Sequence, residues 1–234
     1  MSEWSPRRFY KTATVQPEGD GFSVRLDDRP IRTPGKRPLI LPTEVMARRV
    51  ADEWLAQEAQ IDPRTMPWTR SANSALDKVA PQRAEVMAHL IGYAGTDLVC
   101  YRAEGPPSLT DRQRAGWDPI LDWVTQRYDL RLRVTVGVMP VEQDGDVLPR
   151  LFRTMDPMSD FHLMGFHELV TLSGSFVLAL AAIESLQTAG DLWEISRIDE
   201  VWQAEQWGED EEAAEAAGIK RASFMHGFEF FRSA

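Results

Sequence analysis

The chain has 234 residues, of which 43% are hydrophobic and 26% are charged, and its formal net charge at pH 7 is −10. This composition is ordinary for a folded, soluble protein, and a chain of this length can bury a sizeable core. An acidic surface repels phosphate backbones and anionic lipid head groups, so we expect no nucleic-acid partner and no docking on anionic membranes.

Cysteine usage and the apolar stretches of the chain indicate its compartment. Cys100 is the one cysteine, so no internal disulfide can form and a reducing compartment is favoured. Residues 1–11 carry no apolar segment behind their charges and differ from a secretory signal. The most apolar stretch, residues 169–183, is shorter than the roughly 20 residues that span a bilayer, so we expect a buried helix there and no membrane insertion.

The first forty residues are predicted to contain the strands. Phe22, Val24 and Leu26 alternate with polar residues, as in a strand with one buried face. Residues 8–16 show the same period of two, and the Gly-Asp-Gly sequence at 19–21 between the two runs is a turn signal.

The rest of the chain is predicted to be mostly helical. Thr43 is a good N-cap, and Met46, Val50 and Trp54 recur at helical spacing behind it. Residues 130–141 are rich in β-branched side chains and are expected to form a strand or an extended link. Further helices are expected at residues 71–78, 81–95, 147–155, 159–187 and 191–206, and one more is expected to begin at a capping box, residues 110–113.

These elements predict an α+β protein with two domains. The first, residues 1–78, is small and contains the β-sheet, and the second, residues 79–234, is larger and all-α.

Sequence motifs of enzymes are absent. The chain has neither the GxxxxGK[ST] phosphate loop nor the GxGxxG dinucleotide fingerprint. Ser175 follows Gly174 in an apolar helical pattern rather than in a GxSxG elbow. His162 and His167 are five residues apart, one more than HExxH requires, so packed or capping histidines are favoured over metal ligands. We therefore predict no catalytic residue, no metal site and no cofactor.

Carboxylates and tryptophans occur together near the C-terminal end. Asp199, Glu200 and Glu205 share a predicted helix with Trp202 and Trp207. One interpretation is a solvated acidic face with two tryptophans in the core. Another is a recognition surface, in which aromatic anchors are ringed by carboxylates that meet Arg or Lys of a partner. Acid–base chemistry by paired carboxylates would need a pocket, which the sequence does not show.

Short strings in a fixed order extend along nearly the whole chain. They are RFYK at 8–11, LDDRPIRTP at 26–34, EW at 53–54, NSALD at 73–77, TDLVCYR at 96–102, the run from Gln113 through WDP to Trp123, HELVTLSGS at 167–175, SRIDE at 196–200 and WG at 207–208. In number and order these strings resemble the assembly chaperones of F-type ATP synthase, a family known in mitochondria as assembly factor 2, which also has bacterial members.

The resemblance implies both a fold and a role. Members have an N-terminal domain with a β-sheet and a helical C-terminal domain. They bind the free alpha subunit of the synthase and prevent its aggregation until the beta subunit takes its place, without hydrolysing ATP. For this chain the resemblance implies a cytoplasmic protein of a bacterium, monomeric when free, whose eukaryotic relatives act in the mitochondrial matrix.

The resemblance also implies site residues. The family has an important acidic position in the helix before the Trp-Gly pair, and it falls on Asp199 or Glu200. Trp54 matches a strong family position, and we expect Trp54 and Trp207 to be structural, because a tryptophan on a helical stripe is usually in the core. The residues predicted to bind the partner are Asp199, Glu200, Glu205, Trp202 and Arg197.

Two other functions stay open on sequence alone. The first is a metal- or carboxylate-dependent enzyme that uses His167, Glu168 and the helix at residues 199–205, whose side chains would have to converge on one pocket. The second is a structural component of the synthase itself, which would be retained in the mature complex.

Overall fold

A small antiparallel sheet followed by a series of helices makes up the chain in our computed structural model, which describes residues 7–208 and 210–234. The predicted α+β class is therefore confirmed. By contact density the chain divides into two units. The first comprises the residues up to Arg83 with 158–165 and 229–234, and the second comprises 84–157 and 166–228. The sequence-based boundary at residues 78 and 79 stays a prediction.

The sheet of the first unit is built around its second strand. The four strands are β1 (Ala13–Glu18), β2 (Gly21–Leu26), β3 (Arg29–Pro30) and β4 (Ile40–Leu41). β2 pairs with β1 on one edge and with β3 and β4 on the other, and all pairs are antiparallel. Val24 and Leu26 are buried, as the period of two predicted. Gly19 has φ +61°, which a glycine adopts without a steric penalty in the tight turn between β1 and β2.

The helix predicted behind Thr43 is confirmed as α1 (Glu44–Leu55), which packs against β1 and β2. The Thr43 side chain accepts a hydrogen bond from the Met46 N–H at 3.3 Å, and thereby satisfies one donor that the first helical turn leaves unpaired. Met46 and Val50 are completely buried, so the predicted apolar stripe faces the core.

A carboxylate of α1 caps the next helix, α2 (Pro67–Ser74), which begins earlier than the predicted residue 71. Met66 provides no side-chain cap there. Instead Glu53 accepts hydrogen bonds from the N–H groups of Trp68 at 2.6 Å and Thr69 at 2.8 Å. Burial raises the pKa of the Glu53 carboxyl, and the hydrogen bonds from Thr69 and Trp68 oppose this rise.

Loss of the Glu53 carboxylate leaves two backbone donors without their acceptor. We expect Glu53→Ala to lower the free energy of unfolding by about 1–3 kcal/mol, measured by urea denaturation followed by circular dichroism. Asp52→Ala, at the exposed neighbouring position, is the matched control and should change it by less than about 0.5 kcal/mol. Equal losses in the two variants would rule out the capping bonds as the cause.

The chain after α2 is mostly helical in the part that the structure describes. β5 (Tyr101–Arg102) and β6 (Thr135–Val136) form a two-stranded parallel sheet within it. One turn of π-helix (Ala75–Val79) and one turn of 3-10 helix (Ala80–Gln82) precede the long helices. The helices are α3 (Arg83–Gly95), α4 (Pro107–Tyr128), α5 (Val147–Arg153), α6 (Asp160–Ser173), α7 (Phe176–Ile183), α8 (Ala189–Ser196), α9 (Ile198–Trp207) and α10 (Glu211–Ser233).

Three further helix predictions differ from the structure. The helix expected at residues 159–187 is two helices, because Gly174 has φ +71° and the Ser175 side chain then caps α7 by accepting from the Leu178 N–H. The helix expected at 191–206 is likewise divided, into α8 and α9 at Arg197. The predicted helix start at a capping box, residues 110–113, was wrong. The helix α4 begins at Pro107, and the Thr110 hydroxyl donates back to the Pro107 carbonyl within the first turn.

Residues 169–183 are mostly buried, as predicted. Among the residues that the structure describes, no helix combines the length and the hydropathy needed to cross a bilayer.

Asp97 is a completely buried carboxylate of the second unit. It accepts hydrogen bonds from the N–H of Val99 at 3.2 Å and from the N–H of Val177 at 3.0 Å, so it joins the turn before β5 to the start of α7. Burial raises the pKa of Asp97 to about 6, although hydrogen bonds from the Ser175 side chain and from backbone N–H groups oppose the rise.

This raised pKa has a consequence for stability. At a pH between the Asp97 pKa of 3.8 in the unfolded chain and its pKa of about 6 in the folded protein, the folded protein holds a proton at Asp97 that the unfolded chain has lost. The contribution of Asp97 to the free energy of unfolding is therefore present at lower pH and falls as pH rises through this window, by up to about 1.4 kcal/mol per pH unit.

We expect Asp97→Asn to be less stable than the wild type, because one buried N–H loses its acceptor, and to lack this dependence between about pH 4 and 6. The measurement is urea denaturation of both proteins across this range. A difference in stability that stays constant with pH would contradict a shifted Asp97.

Candidate partner-binding surface

The helix α9 carries the residues predicted to bind a partner, and it packs closely on α4. A Cβ placed on Gly116 of α4 would lie 2.7 Å from the Cδ1 atom of Ile198, so glycine permits this close approach. The indole Nε1 of Trp117 donates to the Ile195 carbonyl at 2.7 Å and ties α4 to the end of α8. Together these contacts set where the side chains of α9 can point.

Asp199 lies in the first turn of α9, and the side chain of Gln113 holds its carboxylate. The Gln113 Nε2 donates to Asp199 Oδ1 at 2.6 Å, while its Oε1 accepts from the Ala103 N–H at 2.9 Å. Gln113 is buried in α4, and its backbone carbonyl also accepts from Arg102 at 2.8 Å. This glutamine therefore joins α4, α9 and the residue after β5.

Glu205 and Trp202 lie on the same side of α9 as Asp199. Arg112 of α4 pairs with Glu205 at 2.7 Å, and its hydrogen bond holds the pKa of Glu205 below its usual range. The Trp202 Nε1 donates to the Ser108 hydroxyl at 3.4 Å. Glu205 and Trp202 thus contact α4, although the Glu205 carboxylate and the Trp202 indole remain partly open to solvent.

Arg197 and Glu200 lie on the other side of α9. They pair with each other at 2.7 Å, and the Arg197 guanidinium also lies 5.7 Å from the centre of the Trp193 ring. Both line a groove of about 310 Å³ that α8, α9 and α10 form. The contribution of α10 to this groove includes small side chains, Ala213, Ala214 and Ala217.

Two apolar side chains of α9 are exposed. Trp207 is 76% exposed and Val201 is 44% exposed, and the ring of Trp207 lies edge-on to that of Trp202 at 6.0 Å. We expected Trp207 to be structural, yet it lies on the surface. The argument from helical spacing misleads here because none of the ten residues of α9, all of them described, is buried.

Trp54, the other tryptophan expected to be structural, lies in the first unit at the end of α1. Its ring packs edge-on against Tyr10 at 5.7 Å, and its carbonyl accepts from the Tyr10 hydroxyl at 2.6 Å. It thus joins α1 to the segment that leads into β1.

Comparison with known proteins now identifies the family. The chain matches the family described as ATP12 chaperone protein over residues 7–125, about half of its length. It is 47% identical to Atp12 from Paracoccus denitrificans, with a TM-score of 0.94 over 98% of this chain and 99% of that chain. A variant of that protein with one aspartate replaced by lysine matches equally well, with 47% identity, a TM-score of 0.94 and coverage of 99% of both chains. The Atu1473 protein from Agrobacterium tumefaciens is 37% identical, with a TM-score of 0.93 over 97% of this chain and 86% of that chain.

The chain belongs to the ATP12 chaperone family. The resemblance inferred from the short strings is therefore confirmed, and so is the general role in ATP synthase assembly.

ATP12 proteins are chaperones and not enzymes, so the prediction that this protein is not an enzyme is confirmed and the enzyme alternative was wrong. The buried Nδ1 of His167 has no hydrogen-bond partner among the described residues, its ring lies 6.1 Å from that of His89, and burial lowers its pKa. Within residues 7–208 and 210–234, no three His, Cys, Asp or Glu side chains are grouped so that they could hold a metal ion.

Sequence reasoning missed the role of Gln113 in this ATP12 protein. The motif suggested that Gln113 closes a capping box, whereas the side chain points into the protein and holds Asp199. A glutamine three residues after a threonine is the pattern of a local capping box, whereas the side-chain partner of Gln113 lies 86 residues away in the sequence.

Replacement of Gln113 by leucine removes two side-chain hydrogen bonds at nearly constant volume. We expect Gln113→Leu to lower the free energy of unfolding by about 1–3 kcal/mol, because the Ala103 N–H loses its acceptor and Asp199 loses its donor. Gln126→Leu, at an exposed position of the same helix, is the control. Urea denaturation of both variants is the measurement, and equal stabilities would contradict a role for Gln113 in holding α9.

Proposed function

We propose that this protein binds the unassembled alpha subunit of F-type ATP synthase and prevents its aggregation until the beta subunit displaces it. The observation that carries the proposal is membership of the ATP12 chaperone family, with similarity to P. denitrificans Atp12 over the whole chain. The protein acts as a monomer when free, in the bacterial cytoplasm.

The surface of α9 suits such a role. A subunit of an alternating ring exposes apolar interfaces before assembly, and these aggregate unless another surface covers them. Exposed Trp207 and Val201 offer apolar contact area, and the carboxylates beside them can meet basic side chains at the rim. A rim of partly solvated charges keeps the affinity moderate, so the correct partner can displace the chaperone.

The two sides of α9 have different parts in this proposal. Asp199, Trp202 and Glu205 are held by α4 and provide a preorganised side, which costs less conformational entropy on binding. Arg197 and Glu200 provide the second side, beside the groove formed with α10. Because it is exposed, Trp207 serves in this proposal as an aromatic anchor for the partner and not as a structural residue.

Charge reversal on α9 tests both the function and the site. We expect the wild type to co-purify with separately expressed alpha subunit and not with beta. Asp199→Lys and Glu200→Lys should each weaken alpha binding by at least about tenfold, because a lysine there repels the basic groups of the partner.

Asp156→Lys is the matched control. It makes the same change of charge at an exposed position that follows α5, and it should bind alpha as the wild type does. Circular dichroism verifies that all variants are folded. Retention of beta instead of alpha would contradict the proposed partner, and unchanged binding by both α9 variants would contradict the site. Presence of the protein in the mature synthase would instead favour a structural component.

A further inference from the structure

The segment that begins with β3 is basic, although the chain as a whole is acidic. Residues 29–37 contain four basic side chains and no acidic one, in a chain with a net charge of −10. All four are exposed, and they are Arg29, Arg32, Lys36 and Arg37. In the part of the chain that the structure describes, only Arg37 of the four has a carboxylate within 4.0 Å.

Backbone hydrogen bonds fold residues 32–38 into a tight loop, which we call the basic hairpin. Arg32 and Pro38 form an antiparallel bridge across its base. The Thr33 N–H donates to the Arg37 carbonyl at 2.9 Å, and the Lys36 N–H donates to the Thr33 carbonyl at 2.8 Å. The Thr33 hydroxyl also accepts from the Arg37 N–H at 3.1 Å. The backbone of the basic hairpin is therefore defined by its own hydrogen bonds.

A carboxylate from another part of the first unit holds the basic hairpin in place. Asp77, in the turn of π-helix after α2, accepts from the Thr33 hydroxyl at 2.8 Å and from the Gly35 N–H at 2.7 Å. A Cβ on Gly35 would lie 2.6 Å from Asp77 Oδ1, so only glycine permits this approach. Thr33 and Asp77 belong to two of the short strings of the sequence, and their contact orders the hairpin before any partner arrives.

Two guanidinium groups of the basic hairpin are held as well. Arg32 donates to the Lys36 carbonyl at 3.0 Å, and Arg37 donates to the Leu76 carbonyl at 2.5 Å. A guanidinium has five N–H donors, so these contacts orient each group and leave other donors for a partner. Ordered arginines lose less side-chain entropy when they bind.

The carboxylates that precede or hold the basic hairpin offset only part of its charge. Asp77 is 17% exposed and bonds to the hairpin as described above. Asp27 accepts hydrogen bonds from two backbone N–H groups of the segment before β1, at 3.1 and 3.0 Å. Asp28 is exposed and directly precedes Arg29 in the chain. The hairpin itself therefore keeps an excess of positive charge around Lys36, and an anionic partner is favoured.

The basic hairpin lacks the backbone donors of a phosphate site. Every backbone N–H group of residues 33–37 donates within the protein, and Pro34 has none, so no nest of N–H groups remains for a phosphate. Nucleic acids and anionic bilayers are also repelled at long range by the net charge of −10. A short acidic protein segment carries a few spaced carboxylates, which exposed guanidinium and ammonium groups can pair one at a time.

We propose that the basic hairpin is a second contact surface of this chaperone, and that it binds an acidic segment of the synthase subunit that the chaperone holds. Arg32, Lys36 and Arg37 pair with aspartates or glutamates of that segment, and Asp77 keeps the hairpin in its binding geometry. With carboxylates on α9 and cations on the hairpin, the chaperone selects a subunit that presents both kinds of charge. The inference rests on the proposed function, because it names how the same partner is recognised.

Charge reversal at Lys36 tests the contact. The Lys36 side chain forms no hydrogen bond or ion pair with a described residue, so its replacement leaves the hairpin bonds in place. We expect Lys36→Glu to weaken alpha binding by at least about fivefold, because it repels the carboxylates of the segment. Lys36→Arg keeps the charge and should stay within about threefold of the wild type.

Lys220→Glu is the matched control. It makes the same change of charge at an exposed position of α10, outside the hairpin, and should bind alpha as the wild type does. Circular dichroism and thermal unfolding verify that all three variants are folded. Equal weakening by Lys36→Glu and Lys220→Glu would point to net charge alone and would contradict a contact at the hairpin.

A peptide probe tests the surface without the subunit. A short oligoglutamate peptide, added to the free protein labelled with ¹⁵N, should shift the amide resonances of residues 32–37, and added salt should weaken this response. The response should be lost in Lys36→Glu. Duplex DNA and phosphatidylserine vesicles are the competing probes, and a response to either at lower concentration than to the peptide would overturn the assignment to a protein segment.

The outcomes separate the two proposals. A complex with alpha that Lys36→Glu leaves unchanged overturns the hairpin contact and keeps the chaperone function intact, and so does a lack of peptide-induced shifts. A complex with beta alone overturns the proposed partner, and Lys36→Glu measured on that complex then decides the hairpin contact. If neither subunit binds, the assignment of the segment to a synthase subunit falls with the proposed function, whereas the peptide response still decides whether the hairpin recognises carboxylates.

Discussion

The buried amide of Gln113 is the interaction on which the proposed partner-binding surface depends. One side chain accepts from the Ala103 N–H and donates to Asp199, so the residue after β5 and the first turn of α9 are both fixed to α4. Buried amides of this kind are costly when only partly satisfied, because each unpaired group loses its hydration. The constraint therefore fixes the Asp199 carboxylate in one place before any partner arrives.

Carboxylates that another helix holds are more preorganised for binding than those paired beside their own helix. Asp199 and Glu205 are held by α4, which lowers the side-chain entropy lost on binding, whereas among the described residues Glu200 forms its ion pair with Arg197 at the start of α9. A surface that combines both kinds can select a partner by charge and still release it. This balance suits a chaperone, which must bind less tightly than the subunit that replaces it.

The sequence by itself determined the local structure and the class of protein. The period of two gave β2, the Thr43 cap and the apolar stripe gave α1, and the order of short strings along the chain identified the ATP12 family. These features depend on neighbours in the chain, and their physical causes act over a few residues. The break at Gly174 was missed because its φ of +71° is a backbone state that the apolar pattern does not encode.

Only the tertiary structure decided how the site is arranged. Periodicity says which residues share a face of α9, but not which element that face meets. The structure puts Asp199, Trp202 and Glu205 against α4 and leaves Trp207 exposed, because Gln113 and Arg112 come from a helix that lies 86 and 93 residues away along the chain. Contacts over such separations leave no local signal in a single sequence, so the contacts of Gln113 and the exposure of Trp207 could not be predicted.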